Sequence, residues 1–322
     1  MNTNPFKSKN DPKWCPGCGD FAVLRALTDT WKNSGIPRED FLLVSGIGCS
    51  SRLPYYIETY GIHSLHGRAP TVAMGAKLSR PELSVWIATG DGDALSIGAG
   101  HFVHLIRKNP DIKVLLFNNE IYGLTKGQFS PTSADGLKTK SSPGGAINRP
   151  VNPLSLAINS GATFAARVVD TDLAMMKKVF AEATVHKGVA VIEILTNCII
   201  FNDGAFAKFE DRKLKKENLV ELNHGEPLVY GENGDKGIAA EGFALRLSHE
   251  LGKPPLVMDV AAAEPTLSLL LAGIQHGEMP LPVGVFRKVR EPTYEEKVWG
   301  QKTSSVTASF EDFSKMGNTW TQ

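Results

Sequence analysis

Charge of one sign is not in excess in this chain. Its 35 lysines and arginines face 34 aspartates and glutamates over 322 residues, a formal net charge of +1. Nucleic-acid and membrane-surface binders hold phosphate through surplus basic charge, so the balance argues against both partners. Long apolar runs are missing too: the most apolar windows, residues 189–195 and 267–274, fall far short of the ~20 residues that a membrane helix needs. The start, MNTNPFKSKNDPKW, is polar, holds two prolines and has no signal-peptide-like apolar stretch. A cytoplasmic protein with reduced cysteines is expected. Internal repeats and long low-complexity tracts are absent. Cysteine is scarce, with only Cys15, Cys18, Cys49 and Cys198. Four are too few for a disulfide scaffold, yet they equal the ligand count of one tetrahedral metal site or one iron–sulfur cluster.

The remaining composition, 42% hydrophobic and 21% charged, supplies a globular core and excludes a disordered chain. At ~150 residues per domain the length suggests two domains, or one large domain with an appendage.

Along the chain, WCPGCGD reads as a loop, and Asp20 as the N-cap of a helix carrying Phe21, Leu24, Leu27 and Trp31 at helical spacing. Gly35 and Pro37 end that helix. Residues 41–44 (FLLV) read as a buried strand that empties into the glycine-rich loop 45–51, SGIGCSS. Residues 84–89 (SVWIAT) form a second strand, running into Gly90-Asp91-Gly92-Asp93; 94–108 fit a helix stopped by Asn109-Pro110; 112–117 (IKVLLF) form a third strand, ending in Asn118-Asn119. Strand, helix and strand make a βαβ unit with parallel strands. Further on, Asp172 is the expected cap of a helix over 173–186, Gly188 its stop, and 189–195 a buried strand that delivers Cys198. This alternation predicts an α/β fold, a mostly parallel sheet with helices on both faces. Beyond Phe206 the character changes. Residues 208–217 hold five positive and three negative charges, a solvated face or linker by its mixed signs. Past Pro280 the chain reads as an irregular tail with Trp299 and Trp320, disordered or laid against another chain.

Gly90-Asp91-Gly92 and Asn118-Asn119 each sit at the carboxyl end of a predicted parallel strand, where open α/β sheets bind ligands. A diphosphate needs a hard cation, and Mg²⁺ takes one or two protein carboxylates plus other oxygens. Asp91 offers a carboxylate and Asn119 an amide oxygen, with a backbone carbonyl just beyond as a third ligand. Flanking glycines let backbone N–H groups reach phosphate oxygens. Two such groups at this spacing point to thiamine diphosphate. The cysteines are less decisive. WCPGC alone admits a thioredoxin-like motif, structural zinc or an iron–sulfur cluster, because four thiolates suit both metals. His101 and His104 are expected as core or capping residues, and His63 and His66 form an HxxH of which His66 opens HGR. Lys126, in GLTKGQ, is a loop lysine a few residues past the asparagine pair.

Taken together, WCPGCGD, GIGCSS, HGRAPTVAMGAK, GDGDALSIGAGHFVH, NNEIYGLTKGQFSPTS and EILTNC resemble the beta subunit of 2-oxoacid:ferredoxin oxidoreductases, most of all those that use 2-oxoglutarate. The resemblance is dense over residues 12–209 and looser to about 292. It implies one 4Fe–4S cluster on Cys15, Cys18, Cys49 and Cys198, and Mg²⁺ on Asp91, Asn119 and the backbone of Ile121. It also implies thiamine diphosphate contacts from Ile47, Gly48, Cys49, Ser50, His66, Gly90, Gly92, Asp93, Gly123 and Leu124. Lys126 would bind a substrate carboxylate, and His66 would stand near the reaction. The implied reaction converts a 2-oxoacid and coenzyme A to acyl-CoA and carbon dioxide with reduction of ferredoxin; pyruvate and branched-chain oxoacids remain open as substrates. A separate alpha subunit would supply the pyrimidine-binding domain and its glutamate, in a dimer of heterodimers. Residues 1–207 would be the cofactor domain and 208–322 an elaboration that contacts that subunit. No further cysteines exist for a second cluster, so electrons would pass straight to an external carrier. The rival readings are a non-redox split decarboxylase or carboligase with zinc in the cysteine site, and a zinc-stapled interaction module without catalysis.

Overall fold

The computed structural model describes residues 4–301, except 276 and 278, together with 311 and 315. Its strands, in chain order, are β1 Phe41–Ser45, β2 Tyr60–His63, β3 Ser84–Gly90, β4 Ile112–Asn118, β5 Ile121–Tyr122, β6 Gln128–Phe129, β7 Phe164–Val169, β8 Ala190–Leu195, β9 Leu219–Leu222, β10 Val229–Tyr230, β11 Lys236–Glu241, β12 Ala244–Leu247 and β13 Leu281–Lys288. Eight of them form one sheet in the order β2-β1-β3-β4-β8-β7-β13-β9. From β2 to β7 every pairing is parallel, and β13 runs antiparallel to β7 and parallel to β9.

The central strands read as unbroken apolar runs because both faces of the sheet are covered. Successive residues nevertheless serve opposite cores. Phe41, Leu43, Trp86, Leu115 and Ile192 pack into one cluster, whereas Leu42, Val44, Val85, Val114 and Val191 pack into the other. Helices α1 (Asp20–Lys32) and α5 (Leu173–Val185) cover the first face; α2 (Ala69–Ser79) and α3 (Ala99–Lys108) cover the second. The short helix α4 (Pro153–Asn159) gives residues to both clusters. Asp172 caps α5 as expected, its side chain accepting from the Met175 N–H. Among the described residues no helix is long and apolar enough to cross a membrane.

Four expectations are corrected. Gly19, not Asp20, is the N-cap of α1, and Phe21 is exposed, while Val23, Ala26, Leu27, Thr30 and Trp31 form the buried face. The helix expected over 94–108 is broken at Gly98, with a π-turn over Asp93–Ile97 before α3. Its histidines are not core residues, since His104 is exposed and His101 half-buried. Past Pro280 the chain is not irregular. Strand β13 inserts between β7 and β9, and its Val283, Val285 and Phe286 are buried. The sequence hid β13 behind Pro282 and Gly284, residues that demote a strand on local grounds. Two neighbours sharing its backbone bonds override that preference. The charged stretch 208–217 is the solvated surface expected of it, apart from buried Phe209. Trp320 lies outside the described residues.

At the amino end of the parallel strands, His186 is buried with its Nε2 2.9 Å from the Thr163 hydroxyl. Burial pushes its pKa down to about 4, helped by Lys113, Lys288 and Arg290 and opposed by Asp111. The unfolded chain takes up this proton near the ordinary histidine value of ~6.5, the folded chain only near the depressed one. Stability contributed by neutral His186 is therefore complete above pH ~6.5 and is lost as the pH falls toward 4. Urea unfolding at stepped pH should show this loss, and His186→Gln should shrink it relative to wild type. An identical pH profile in the variant would discount His186.

Candidate functional site

Because β1, β3, β4, β8 and β7 are parallel, their carboxyl ends share one edge of the sheet. That edge collects Gly46–Ser51 after β1, Asp91–Asp93 after β3, Asn119–Lys126 after β4 and Asn197–Cys198 after β8. The amino-terminal cysteine loop is tied to the same edge, where the Trp14 indole N–H donates to the Cys49 carbonyl at 2.7 Å.

Two cavities open here. The first is lined by Ile47, Gly48, Cys49, Ser50, His66, Gly90, Asp91, Gly92, Asp93, Asn119, Ile121, Gly123 and Leu124 among others. The second, of about 230 Å³, is lined by all four cysteines with Lys13, Arg52 and Lys126. Cys49, Asn119, Gly123 and Leu124 belong to both, so the cavities share a wall. That wall is thin: a Cβ built on Gly123 would stand 3.4 Å from the Cys198 sulfur and 3.7 Å from that of Cys49. The sequence pattern could not show this adjacency, because 148 residues separate Cys49 from Cys198.

Asp91 is 3% exposed, and its Oδ2 accepts from the hydroxyls of Ser130 and Thr132, each at 2.5 Å. Burial pushes its pKa up to about 6 against these bonds, as expected of a carboxylate kept from water. Asn119 turns its Oδ1 onto the Ile121 N–H at 3.2 Å, and its carbonyl accepts from Asn202 in the Cys198 loop at 3.0 Å. Gly92 has no room for a side chain, since a Cβ there would stand 2.2 Å from the Tyr122 ring. The Tyr122 hydroxyl in turn donates to the Gly92 carbonyl.

Asp93 lines the first cavity but spends both oxygens on the protein. Its Oδ1 accepts from the N–H groups of Ile47 and Gly67 and stands 2.6 Å from His66 Nδ1; its Oδ2 accepts from Thr89. One carboxylate thus ties three loops together. With Nδ1 donating to Asp93, the remaining nitrogen of His66 is Nε2. The loop after His66 approaches α3 so closely that a Cβ on Gly67, whose φ is +69°, would stand 2.5 Å from the Gly98 nitrogen.

Of the cysteines, Cys15 is exposed and the others are half-buried. Burial, Asp20 and the neighbouring thiols push Cys49 up to about 12 and raise Cys18 as well. Four crowded thiols beside a carboxylate are a donor set that calls for positive charge. Among the described residues no group of three or more His, Cys, Asp or Glu is arranged to hold a single ion. The four cysteines instead line, with other residues, a cavity several times the ~30 Å³ share of one water. Lys126, with φ +78°, is exposed on the rim of this second cavity and does not line the first. His63 is exposed against Tyr55 and lines neither cavity.

Sequence reasoning missed Asp20, Ser130 and Thr132. Asp20 is buried, its Oδ2 has no partner, and burial and Asp170 push its pKa up to about 7. Its position before an amphipathic helix signalled a cap, and nothing local marks a carboxylate at the cysteines. Ser130 and Thr132 lie within SPTS, a turn-like string without an intrinsic metal signal.

Residues 46–194 match the family model of the thiamine pyrophosphate enzyme C-terminal TPP binding domain. The chain is 42% identical to the 2-oxoglutarate oxidoreductase subunit KorB of Mycobacterium tuberculosis, over 98% of this chain and 87% of that one. It is 46% identical to the beta subunit of a 2-oxoacid:ferredoxin oxidoreductase from Saccharolobus solfataricus, over 67% of this chain and 71% of that one. A 2-oxoglutarate:ferredoxin oxidoreductase from Magnetococcus marinus, solved with 2-oxoglutarate, coenzyme A and succinyl-CoA bound, superposes with a TM-score of 0.79 at 29% identity, covering 98% of this chain and 97% of that one. With near-complete coverage of the chain and a shared fold, this chain belongs to the family of 2-oxoacid:ferredoxin oxidoreductase beta subunits.

Proposed function

We propose that this chain is the cofactor-bearing half of a cytoplasmic 2-oxoglutarate:ferredoxin oxidoreductase, converting 2-oxoglutarate and coenzyme A to succinyl-CoA and carbon dioxide while two ferredoxins are reduced. The observation that carries the reading is the shared wall of the two cavities, in which Cys49, Asn119, Gly123 and Leu124 face both. The lining of the first cavity offers the donors expected for thiamine diphosphate with Mg²⁺, and the four cysteines of the second offer those expected for one 4Fe–4S cluster. When bound, they supply the electron sink for decarboxylation and a one-electron acceptor beside it.

The chain's own residues then have definite tasks. Asp91, Asn119 and the Ile121 carbonyl hold the cation. Ile47, Gly48, Ser50, Gly90 and Gly92 bring backbone and hydroxyl groups to the diphosphate, with Asp93 fixing the loops they sit on. Cys15, Cys18, Cys49 and Cys198 ligate the cluster. His66 presents Nε2 as an acceptor at the cavity wall, and Lys126 offers a cation to a substrate carboxylate from the adjoining rim. The exposed edge at Cys15 is the exit for electrons to ferredoxin.

Iron and acid-labile sulfide analysis of protein purified without oxygen tests this reading against both zinc alternatives. About four irons and four sulfides per chain are expected, as for one cubane cluster. A single zinc without sulfide would overturn it. Substrate choice is read separately, from the KM for 2-oxoglutarate against those for pyruvate and branched-chain oxoacids.

A further inference from the structure

Ser130 and Thr132 do not line either cavity, yet both reach the carboxylate at its edge. We propose that they are positioning residues for the cation site: they clamp one oxygen of Asp91 so that the other is presented to the metal. The inference rests on the functional reading above, in which Asp91 holds Mg²⁺.

Both hydroxyls land on Oδ2 at 2.5 Å, and neither lands on Oδ1. A carboxylate rotates about its Cβ–Cγ bond unless something holds it, and two donors on one oxygen fix that rotation. The donors are themselves fixed. The Ser130 N–H donates to the Ser133 hydroxyl oxygen at 2.8 Å, and the Ser133 hydroxyl donates to the Glu120 carbonyl. Thus the turn after β6 is stapled to Glu120, the residue that follows the two asparagines.

Behind Thr132 runs a fully buried chain. The Thr132 oxygen stands 2.8 Å from Asn118 Oδ1, Asn118 Nδ2 donates to Glu193 Oε1 at 2.8 Å, and Arg167 Nε donates to Glu193 Oε2 at 2.7 Å. A carboxylate paired with an arginine only accepts, so Glu193 takes the Asn118 amide protons and fixes where Oδ1 lies; with the single Thr132 proton on Asp91, Asn118 Oδ1 bounds the hydroxyl by contact and not by a second bond. Arg167 is held in turn by the carbonyls of Ile274 and Pro282, the latter within β13. Four side chains, Thr132, Asn118, Glu193 and Arg167, therefore line up from a candidate metal ligand just after β3 to the late strand of the sheet. Along this line Glu193 and Arg167 pair with each other, and Asp91 faces hydroxyls and no opposite charge. A purely structural string of hydroxyls would not need to converge on one oxygen of that residue.

The test uses the full chain with its partner subunit, stripped of divalent metal, titrated with MgCl₂ at saturating thiamine diphosphate and followed by intrinsic tryptophan fluorescence. Thr132→Val keeps the shape and removes the hydroxyl; Ser130→Ala removes the other clamp; Thr132→Ser restores a hydroxyl. Thr132→Val and Ser130→Ala should each raise the half-saturating Mg²⁺ concentration ~10-fold or more, the usual cost of losing an outer-shell partner. Thr132→Ser should return it close to wild type, and iron content should not change. If Thr132→Val and Ser130→Ala lower the melting temperature of the metal-free protein without moving the Mg²⁺ midpoint, the residues are structural and the proposal fails. Should Thr132→Val not fold, Ser130→Ala decides by the same criterion. Absence of any Mg²⁺-dependent thiamine diphosphate binding in wild type would instead remove the functional reading.

Discussion

Asp91→Ala is expected to lower the affinity for thiamine diphosphate in the presence of Mg²⁺ by at least ~100-fold, the largest effect of any single substitution at this edge of the sheet. Mg²⁺ is held by few protein carboxylates and otherwise by waters, carbonyls and the phosphates themselves. Asp91 is the only carboxylate among the three expected ligands, so its loss removes the one full negative charge that the chain brings to the cation. Its burial raises the value of that charge, because water cannot screen it. The cysteine cavity does not include Asp91. Iron and sulfide should therefore stay at wild-type levels while Mg²⁺-dependent binding, followed by calorimetry, disappears. Binding that survives the substitution would move the cation to other residues.

The second large effect concerns the chain by itself. Loaded with cluster and cofactor but without its partner subunit, it should turn over more slowly than the assembled enzyme by a factor of ~10² or more, the typical contribution of one positioned acid–base group. The sheet and its two helical layers are fully used by the site described, and a second sheet of comparable size is not seen among the described residues. The surface around the first cavity also points to a covering partner. Leu124, which lines it, is 51% exposed, and Leu65, next in sequence to His66 of its wall, is 74% exposed; exposed large apolar side chains of this kind mark a contact surface. Turnover at full rate by the isolated, reconstituted chain would dismiss the need for a partner glutamate.

Much of the site was legible from residues alone. Gly90-Asp91-Gly92 and Asn118-Asn119 announced themselves because each follows a run of β-branched and apolar residues, and a strand end with small or amide residues is a local pattern. Asp172 was legible as a cap for the same reason: its bond to the Met175 N–H spans three residues. Asp20 shows the limit of that logic. The local pattern was right for a helix start, but Gly19 took the cap and the carboxylate turned inward toward Cys18. Its fate was decided by Asp170 and the thiols, which no nearby residue foretells.

Residue types and short spacings determined the α/β class, the strand ends that bear the cation ligands, and the presence of four thiols without a fifth. Only the tertiary structure decided that Cys198 meets Cys15, Cys18 and Cys49, that Asp93 ties loops after β1 and before α2, and that β13 completes the sheet beside β7. Caps and turns are satisfied within a few residues, so they are written in the adjacent sequence. Strand order, the shared wall of the two cavities and the line from Asp91 to Arg167 are satisfied between residues far apart in the sequence, by burying both faces of one sheet at once. That requirement is met by the chain as a whole and by no segment of it.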